Sequence, residues 1–91
     1  MTWDSQVLAH LERHRRYPAS AQRRGLEGVA RVRFKMDRQG RVLWSRLETS
    51  SGHAELDRAA VETPRRAQPL PAIPANLPDQ VERVVAIDFY L

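Results

Sequence analysis

Residues 29–36 read VARVRFKM, in which apolar and basic side chains alternate from Ala30 onward. A period of two is typical of a strand that has one buried face and one solvated face. The next residues, DRQG at 37–40, supply an aspartate that opens a tight turn and a glycine that closes it. Residues 41–48, RVLWSRLE, then return the chain as a second strand. The stretch therefore predicts a β-hairpin whose apolar face the rest of the chain has to cover.

An amphipathic helix is predicted before the hairpin. Apolar side chains recur at helical spacing between residues 3 and 14, and Thr2 or Asp4 can cap the first turn. Pro18 pushes Tyr17 out of the helical region of backbone conformation. We therefore expect the chain to leave this helix in extended form.

A second helix is predicted after the hairpin and a short polar break. Its apolar positions are small and fall at helical spacing, so that the helix can lie close to a sheet. These positions are Leu56, Ala59, Ala60 and Thr63. Pro64 lacks a backbone donor and is expected to end or kink the helix near Thr63. Five prolines between residues 64 and 78 then favour an extended connection.

The chain closes with a third predicted strand. Residues 81–91, VERVVAIDFYL, combine high strand propensity with alternating faces. A right-handed crossover places this strand beside the first one and antiparallel to it. We therefore expect one small α+β domain, helix-strand-strand-helix-strand, with a three-stranded antiparallel sheet of order 2-1-3 and the helices on one face. Residues 1–16 are its leading helix and residues 17–91 its core.

In this arrangement the last strand lies at an edge of the sheet. An edge strand presents unpaired N–H and C=O groups, to which an extended peptide can add as a further strand. The alternative is an edge that is closed by the domain's own tail or by a second copy of the chain.

The composition excludes several classes of protein. The chain has 91 residues, enough for a single core, and no cysteine, which excludes disulfides, iron–sulfur clusters and thiol catalysis. No apolar run approaches the length of a membrane span.

Basic charge is concentrated in the front half of the sequence. The net charge is +4, and fourteen of the fifteen basic residues are arginine. An anionic partner is therefore conceivable. A nucleic-acid-binding module is the alternative function, in which Arg31, Arg33 and Lys35 follow the phosphates and Trp44 stacks on a base.

The sequence predicts neither a catalytic site nor a metal site. Ser51 and His53 are close in sequence, but adjacency does not provide a catalytic triad, and the segment is typical of a turn before a helix. His10 and His14 are spaced to face one ion, yet no third ligand is evident and the pattern is not H-E-x-x-H. We therefore expect no enzyme activity, no cofactor and no metal.

Several motifs follow one another along the chain in a specific order. They are Tyr17-Pro18-Ala19, Gly25 and Gly28 before the first strand, DRQGRV at 37–42, SSGH at 50–53, Leu56-Asp57 with Ala59-Ala60, and RRAQPLP at 65–71. In this order and at these spacings the motifs resemble the C-terminal domain of the TonB family. The likeness extends from about Leu8 to Leu91.

The resemblance implies an energy transducer of TonB-dependent outer-membrane transport rather than an enzyme. Family members are anchored in the inner membrane of Gram-negative bacteria, cross the periplasm with a proline-rich spacer, and work with the ExbB and ExbD proton-channel proteins through their N-terminal region. Their C-terminal domain binds the TonB box of transporters for siderophores, haem or cobalamin. We expect residues 1–91 to be the periplasmic domain, without the anchor and spacer. A homodimer is a further alternative, and nucleic acid is not an expected partner.

The resemblance also implies where the partner binds. The family adds the partner as a strand to its last strand, which corresponds here to Val81, Arg83, Val84, Val85, Ala86, Ile87, Asp88 and Phe89. A second contact region lies at the Tyr-Pro motif and corresponds to His14, Arg15, Arg16, Tyr17 and Pro18. Because backbone pairing tolerates varied partner sequences, one strand can serve several transporters.

Overall fold

The predicted hairpin forms the centre of the structure, a computed structural model that describes residues 2–91. The elements in chain order are α1 (Trp3–His14), α2 (Ala19–Arg23), β1 (Gly28–Asp37), β2 (Val42–Thr49), α3 (Ala54–Arg66) and β3 (Gln80–Phe89). The strands form one antiparallel sheet of order β2-β1-β3, which confirms the predicted fold class and strand order. In residues 2–91, no helix has the length and apolar character needed to cross a membrane.

The strict alternation of β1 places its apolar residues under the helices. Ala30, Val32, Phe34 and Met36 are fully buried, whereas the basic residues between them lie on the open face of the sheet. We call this open face, which no helix covers, the outer face. The buried positions of β1 lie opposite odd-numbered residues of β3, so that both strands contribute to one core.

A bulge in β2 sets the faces of the second strand. Lys35 pairs with Trp44 and Met36 with Val42, which leaves Leu43 without a partner on β1. Ser45 pairs with the buried Phe34 and faces the helices, and its hydroxyl donates to the Val61 carbonyl of α3 at 2.8 Å. The bulge turns Val42 to the same side as Ser45, so that Val42 packs against the core under α1.

The core lies between the sheet and the helices as two clusters. The cluster under α1 contains Val7, Leu11, Phe34, Met36, Ala67, Leu70, Ile73 and Val81. The cluster under α2 and α3 contains Ala21, Ala30, Val32, Leu56, Ala59, Ala60, Ile87 and Phe89. Val85 of β3 packs against both clusters and joins them into one layer.

Of the two predicted effects of Pro64, an end or a kink near Thr63, the end is wrong, because α3 continues through Pro64 to Arg66. Thr63 and Pro64 are both buried, and the Thr63 hydroxyl donates to the Ala59 carbonyl at 2.8 Å. The Ala67 N–H then bonds to the Thr63 carbonyl at 3.0 Å. Proline lies in the last turn of the helix, where burial against the sheet offsets the loss of one backbone donor.

The short helix α2 was not predicted from the sequence. Pro18 directly precedes it, and Gly25 follows it with a positive φ of 66°. The N–H of Leu26 bonds to the Ala21 carbonyl at 2.9 Å, and the N–H of Gly25 bonds to the Gln22 carbonyl at 3.1 Å. Proline before the first turn and glycine after the last are the signals that could have located this helix.

The connection between α3 and β3 is held in place by Arg38 of the hairpin turn. Its Nη1 donates to the carbonyls of Ile73 at 3.1 Å and Pro74 at 3.0 Å, and its Nε lies 2.8 Å from Asp79. The connection also reaches the outer edge of β2, where the Val42 N–H donates to the Gln68 side-chain oxygen at 2.8 Å. The proline-containing segment is therefore a packed part of the domain.

Gly40 provides a test of this packing. Its φ is +86°, and a Cβ atom there would lie 2.1 Å from the Leu70 carbonyl oxygen. We expect Gly40→Ala to lower the free energy of unfolding by about 2–4 kcal/mol, because left-handed strain adds to a backbone clash. Gly52→Ala is the control, since Gly52 has a φ of +96° and open space around its Cα. Urea titrations followed by tryptophan fluorescence measure the free energy of unfolding of both variants. If Gly40→Ala and Gly52→Ala lowered it equally, the clash at Gly40 would be contradicted.

The start of α3 is fixed by the Asp57 carboxylate. Its Oδ1 accepts from the Ser51 N–H at 2.7 Å and from the Ser51 hydroxyl at 2.7 Å, and its Oδ2 accepts from the Ser50 hydroxyl. Burial alone would raise the pKa of Asp57, but these hydrogen bonds outweigh it and lower the pKa below its ordinary value.

This pKa shift predicts a pH dependence of stability. A carboxyl group with a lowered pKa in the folded state stabilises that state above its unfolded pKa, and the contribution is lost as the pH falls through the folded value. Asp57→Asn should therefore be less stable than the parent chain at pH 7, and the difference should shrink below about pH 4. Glu12→Gln on the exposed face of α1 controls for the lost charge. Urea unfolding measures the difference in stability between Asp57→Asn and the parent chain. If this difference were constant from pH 7 to pH 3, the lowered pKa of Asp57 would be refuted.

Candidate functional site

The free edge of β3 is the main feature of the predicted site. In residues 2–91, β3 is hydrogen-bonded to β1 on one side only. Two side-chain contacts identify the carbonyls that point away from β1: Arg83 Nη1 donates to the Glu82 carbonyl at 2.9 Å, and Arg15 Nη1 donates to the Asp88 carbonyl. Because backbone groups alternate in direction along a strand, the N–H and C=O groups of Val84 and Ala86 also point outward.

The residues predicted on this strand therefore divide into two sets with different roles. Val84, Ala86 and Asp88 direct backbone groups to the free edge. Val81, Val85, Ile87 and Phe89 direct their backbone to β1 and their side chains toward the core. Glu82, which the sequence did not place among the site residues, also belongs to the edge through its carbonyl. The direction of the backbone groups alternates along a strand, so counting back from Asp88 in steps of two could have identified Glu82.

Arg83 lies at one end of this edge with its charge already paired. Its Nε lies 2.7 Å from Asp4 of α1, and its guanidinium carbon lies 5.3 Å from the centre of the Trp3 ring. The start of α1 therefore borders the beginning of β3, which the sequence did not predict.

The Tyr-Pro segment lies at the other end of the edge. The Tyr17 hydroxyl donates to the Leu26 carbonyl, and the Tyr17 ring packs edge-on against Phe89 with centroids 5.4 Å apart. The guanidinium carbon of Arg15 lies 5.9 Å from the centre of the same Phe89 ring. Two segments that are far apart in sequence, both predicted as contact regions, therefore meet at Phe89.

The surroundings of Tyr17 hold the pKa of its hydroxyl above the ordinary value. Burial raises the pKa of Tyr17, the charge of Glu27 raises it further, and Arg15 opposes both.

The other predicted residues of this segment face away from the edge. His14 Nδ1 lies 2.9 Å from the His10 carbonyl, and the two imidazole rings are 4.6 Å apart. Arg16 and Pro18 line a shallow pocket of about 260 Å³ between α2 and α3. Of the segment from His14 to Pro18, Arg15 and Tyr17 are the residues that contact the end of β3.

The side chains that the sequence analysis considered for catalysis or metal binding make other contacts in the structure. The Ser51 hydroxyl donates to Asp57 and lies 3.2 Å from the His53 backbone carbonyl, so it serves the start of α3. His10 Nε2 lies 2.7 Å from the Ala67 carbonyl. Within residues 2–91, no group of three His, Asp or Glu side chains is arranged to hold a metal ion.

The basic outer face is partly neutralised by carboxylates. Arg33 donates from Nε and Nη2 to Glu48 at 3.0 Å each, and its Nη1 lies 3.6 Å from Glu82. These bonds lower the pKa of Glu48. Trp44 is covered by Arg46, whose guanidinium carbon lies 4.8 Å from the ring. Two of the residues proposed for nucleic acid are thus engaged within the sheet.

Comparisons with known proteins identify the family. Residues 13–91 match the family described as Gram-negative bacterial TonB protein C-terminal. The chain is 45% identical over 76 residues to Protein TonB of Pseudomonas putida, covering 84% of this chain and 31% of that protein. It is 34% identical over 77 residues to Protein TonB of Pasteurella multocida strain Pm70, covering 85% of this chain and 30% of that protein. The chain thus spans less than a third of the length of these relatives.

Solved structures show the same fold. The solution structure of the Helicobacter pylori TonB C-terminal domain superposes with a TM-score of 0.83 at 27% identity, covering 98% of this chain and 80% of that chain. The structure of the HasB C-terminal domain superposes with a TM-score of 0.63 at 42% identity, covering 100% of this chain and 71% of that chain. Together with the sequence match from Arg13 to Leu91, these findings show that the chain belongs to the TonB C-terminal family.

Proposed function

We propose that this chain is the periplasmic, partner-binding domain of a TonB-type energy transducer, and that it binds the TonB box of an outer-membrane transporter by strand addition to β3. The observation that carries the proposal is the free edge at Val84 and Ala86 in a member of this family. The transporters are those for siderophores, haem or cobalamin. In this proposal the rest of the transducer supplies the anchor in the inner membrane and the contact with an ExbB/ExbD complex.

The local structure of the edge supports strand addition. β3 pairs with β1 along its whole length without a bulge, so its outward backbone groups are regularly spaced. Side chains of β3 anchor the strand in both halves of the core, with Val81 in one cluster and Phe89 in the other. A strand that is fixed on one side presents a preorganised template on the other, which lowers the entropy lost on binding.

The same geometry suits the transmission of force. A partner strand lies along β3, so a pull parallel to the strands loads several backbone hydrogen bonds together. Because β3 is paired with the central strand β1, the load passes directly into the core of the domain. Proton-motive-force energy delivered through the rest of the transducer would thus reach the transporter through the sheet.

The partner contacts a second region at the end of the strand. Arg15 and Tyr17 lie beside Phe89, where the added strand leaves the sheet. The net charge of +4 favours the approach of an acidic partner segment, an effect on association rate and specificity more than on affinity.

A second copy of the chain would compete for the same edge. Edge strands pair readily with one another unless they are protected, so an edge-paired homodimer and a partner complex exclude each other.

Proline substitution tests the edge directly. The Ala86 N–H points outward, so Ala86→Pro removes a donor for the added strand without removing one from the β1–β3 ladder. We expect this variant to fold and to lose binding of a synthetic TonB-box peptide from a transporter of the same organism. Binding is followed by NMR titration of the labelled domain. A proline at Val85 or Ile87 would instead break the ladder with β1 and would not separate binding from folding.

Leu47→Pro is the matched control for this experiment. Leu47 lies on β2 at the opposite edge of the sheet and is 39% exposed. This variant should bind the peptide as the parent domain does, with shifts on β3 and around Tyr17. Undiminished binding by a folded Ala86→Pro domain would argue against strand addition at β3.

A further inference from the structure

An arginine covers an outward carbonyl at each end of the β3 edge. Arg83 donates to the Glu82 carbonyl, and Arg15 donates to the Asp88 carbonyl. Between them, Val84 and Ala86 present backbone groups to which no side chain in residues 2–91 is hydrogen-bonded. The added strand therefore has an open stretch at the centre of β3 and meets a guanidinium group at either end.

The two arginines differ in how their charge is satisfied. Arg83 forms an ion pair with Asp4, with Nε and Oδ1 2.7 Å apart. Arg15 takes part in none of the ion pairs found among residues 2–91. The Arg15 side chain donates one hydrogen bond to a neutral carbonyl and contacts the Phe89 ring, and it is exposed. Most of its N–H donors are therefore available to a ligand.

The backbone beneath Arg15 is held in place. Arg15 caps α1 through its own N–H, which bonds to the Glu12 carbonyl at 3.4 Å. Two residues further on, Tyr17 is fixed by its bond to Leu26 and its packing on Phe89. The backbone that carries Arg15 is thus held beside the end of β3, while its long, exposed side chain can exchange partners.

We propose, on the basis of the strand-addition function above, that Arg15 is a specificity-determining residue that binds a carboxylate on the added strand. As the strand pairs, a backbone N–H of the partner takes over the Asp88 carbonyl, and the guanidinium group transfers to the partner's side chain. The Asp88 carbonyl and the guanidinium group thus both keep a hydrogen-bond partner in this exchange. A planar guanidinium group binds a carboxylate through two parallel hydrogen bonds, which a backbone carbonyl cannot offer.

The side of the sheet on which Arg15 lies defines the position of the carboxylate. Arg15 packs on Phe89, whose side chain points to the helix side of β3. The partner's acidic residue must therefore lie on the helix side of the added strand, beside Asp88 and Phe89. A carboxylate moved by one residue would lie on the outer face, next to the side chain of Asp88, where like charges repel. The gain in affinity from an acidic residue should therefore recur at every second position of the partner strand.

A peptide series tests this proposal. The parent is the transporter peptide used above, with every carboxylate replaced by its amide, and a single glutamate is then moved through consecutive positions that pair near Asp88. We expect the domain to bind peptides with glutamate at alternate positions about two- to fivefold more tightly than the parent at low salt. This preference should disappear in Arg15→Gln. It should persist in Arg13→Gln, which removes the same charge from the last turn of α1.

The outcomes separate this proposal from the function on which it rests. If the amide parent shifts Val84 and Ala86 but glutamate at no position improves binding, the Arg15 proposal is overturned and strand addition stands. The same conclusion follows if Arg15→Gln retains the alternating preference. If no peptide of the series, including the unmodified one, shifts the β3 resonances, both proposals are wrong.

Discussion

The pairing of β1 with β3 is the interaction on which the rest of the domain depends. The two strands pair in continuous register from Gly28 opposite Phe89 to Asp37 opposite Gln80. Since side chains alternate between faces, a slip of one residue would move Phe89 out of the core and bring the outer-face side chains inward. The same register determines which backbone groups of β3 point away from β1. The packing of the core and the backbone groups at the free edge of β3 therefore both follow from the register between β1 and β3.

Much of the fold could be predicted because it depends on apolar side chains that recur at regular intervals along the sequence. The alternation in β1 and β3 is nearly strict, and the faces, pairing and order of the sheet follow from it. The bulge at Leu43 and the continuation of α3 past Thr63 depend on packing against other elements, which a local pattern does not contain. At the candidate site, the edge strand could be predicted, whereas the contact between Arg15 and Asp88 joins residues 73 positions apart.

The arginines illustrate why charge composition alone does not define a ligand. Arg38 holds the connection before β3, and Arg33 ties β1 to carboxylates on both neighbouring strands. Arg83 is paired with the first turn of α1. These side chains serve as long, planar cross-links between backbone segments. Part of the positive charge of the sequence thus holds the elements of this small, cysteine-free domain together.

The two edges of the sheet differ in regularity. β2 carries register shifts near both of its ends, and the Val42 N–H at its start is occupied by the Gln68 side chain. β3 has no such shift. Copies of a sheet with two regular edges can keep pairing in both directions, as in fibrils, whereas copies with one regular edge can pair only once. The irregularity of β2 therefore leaves β3 as the one regular edge that residues 2–91 offer to a further strand.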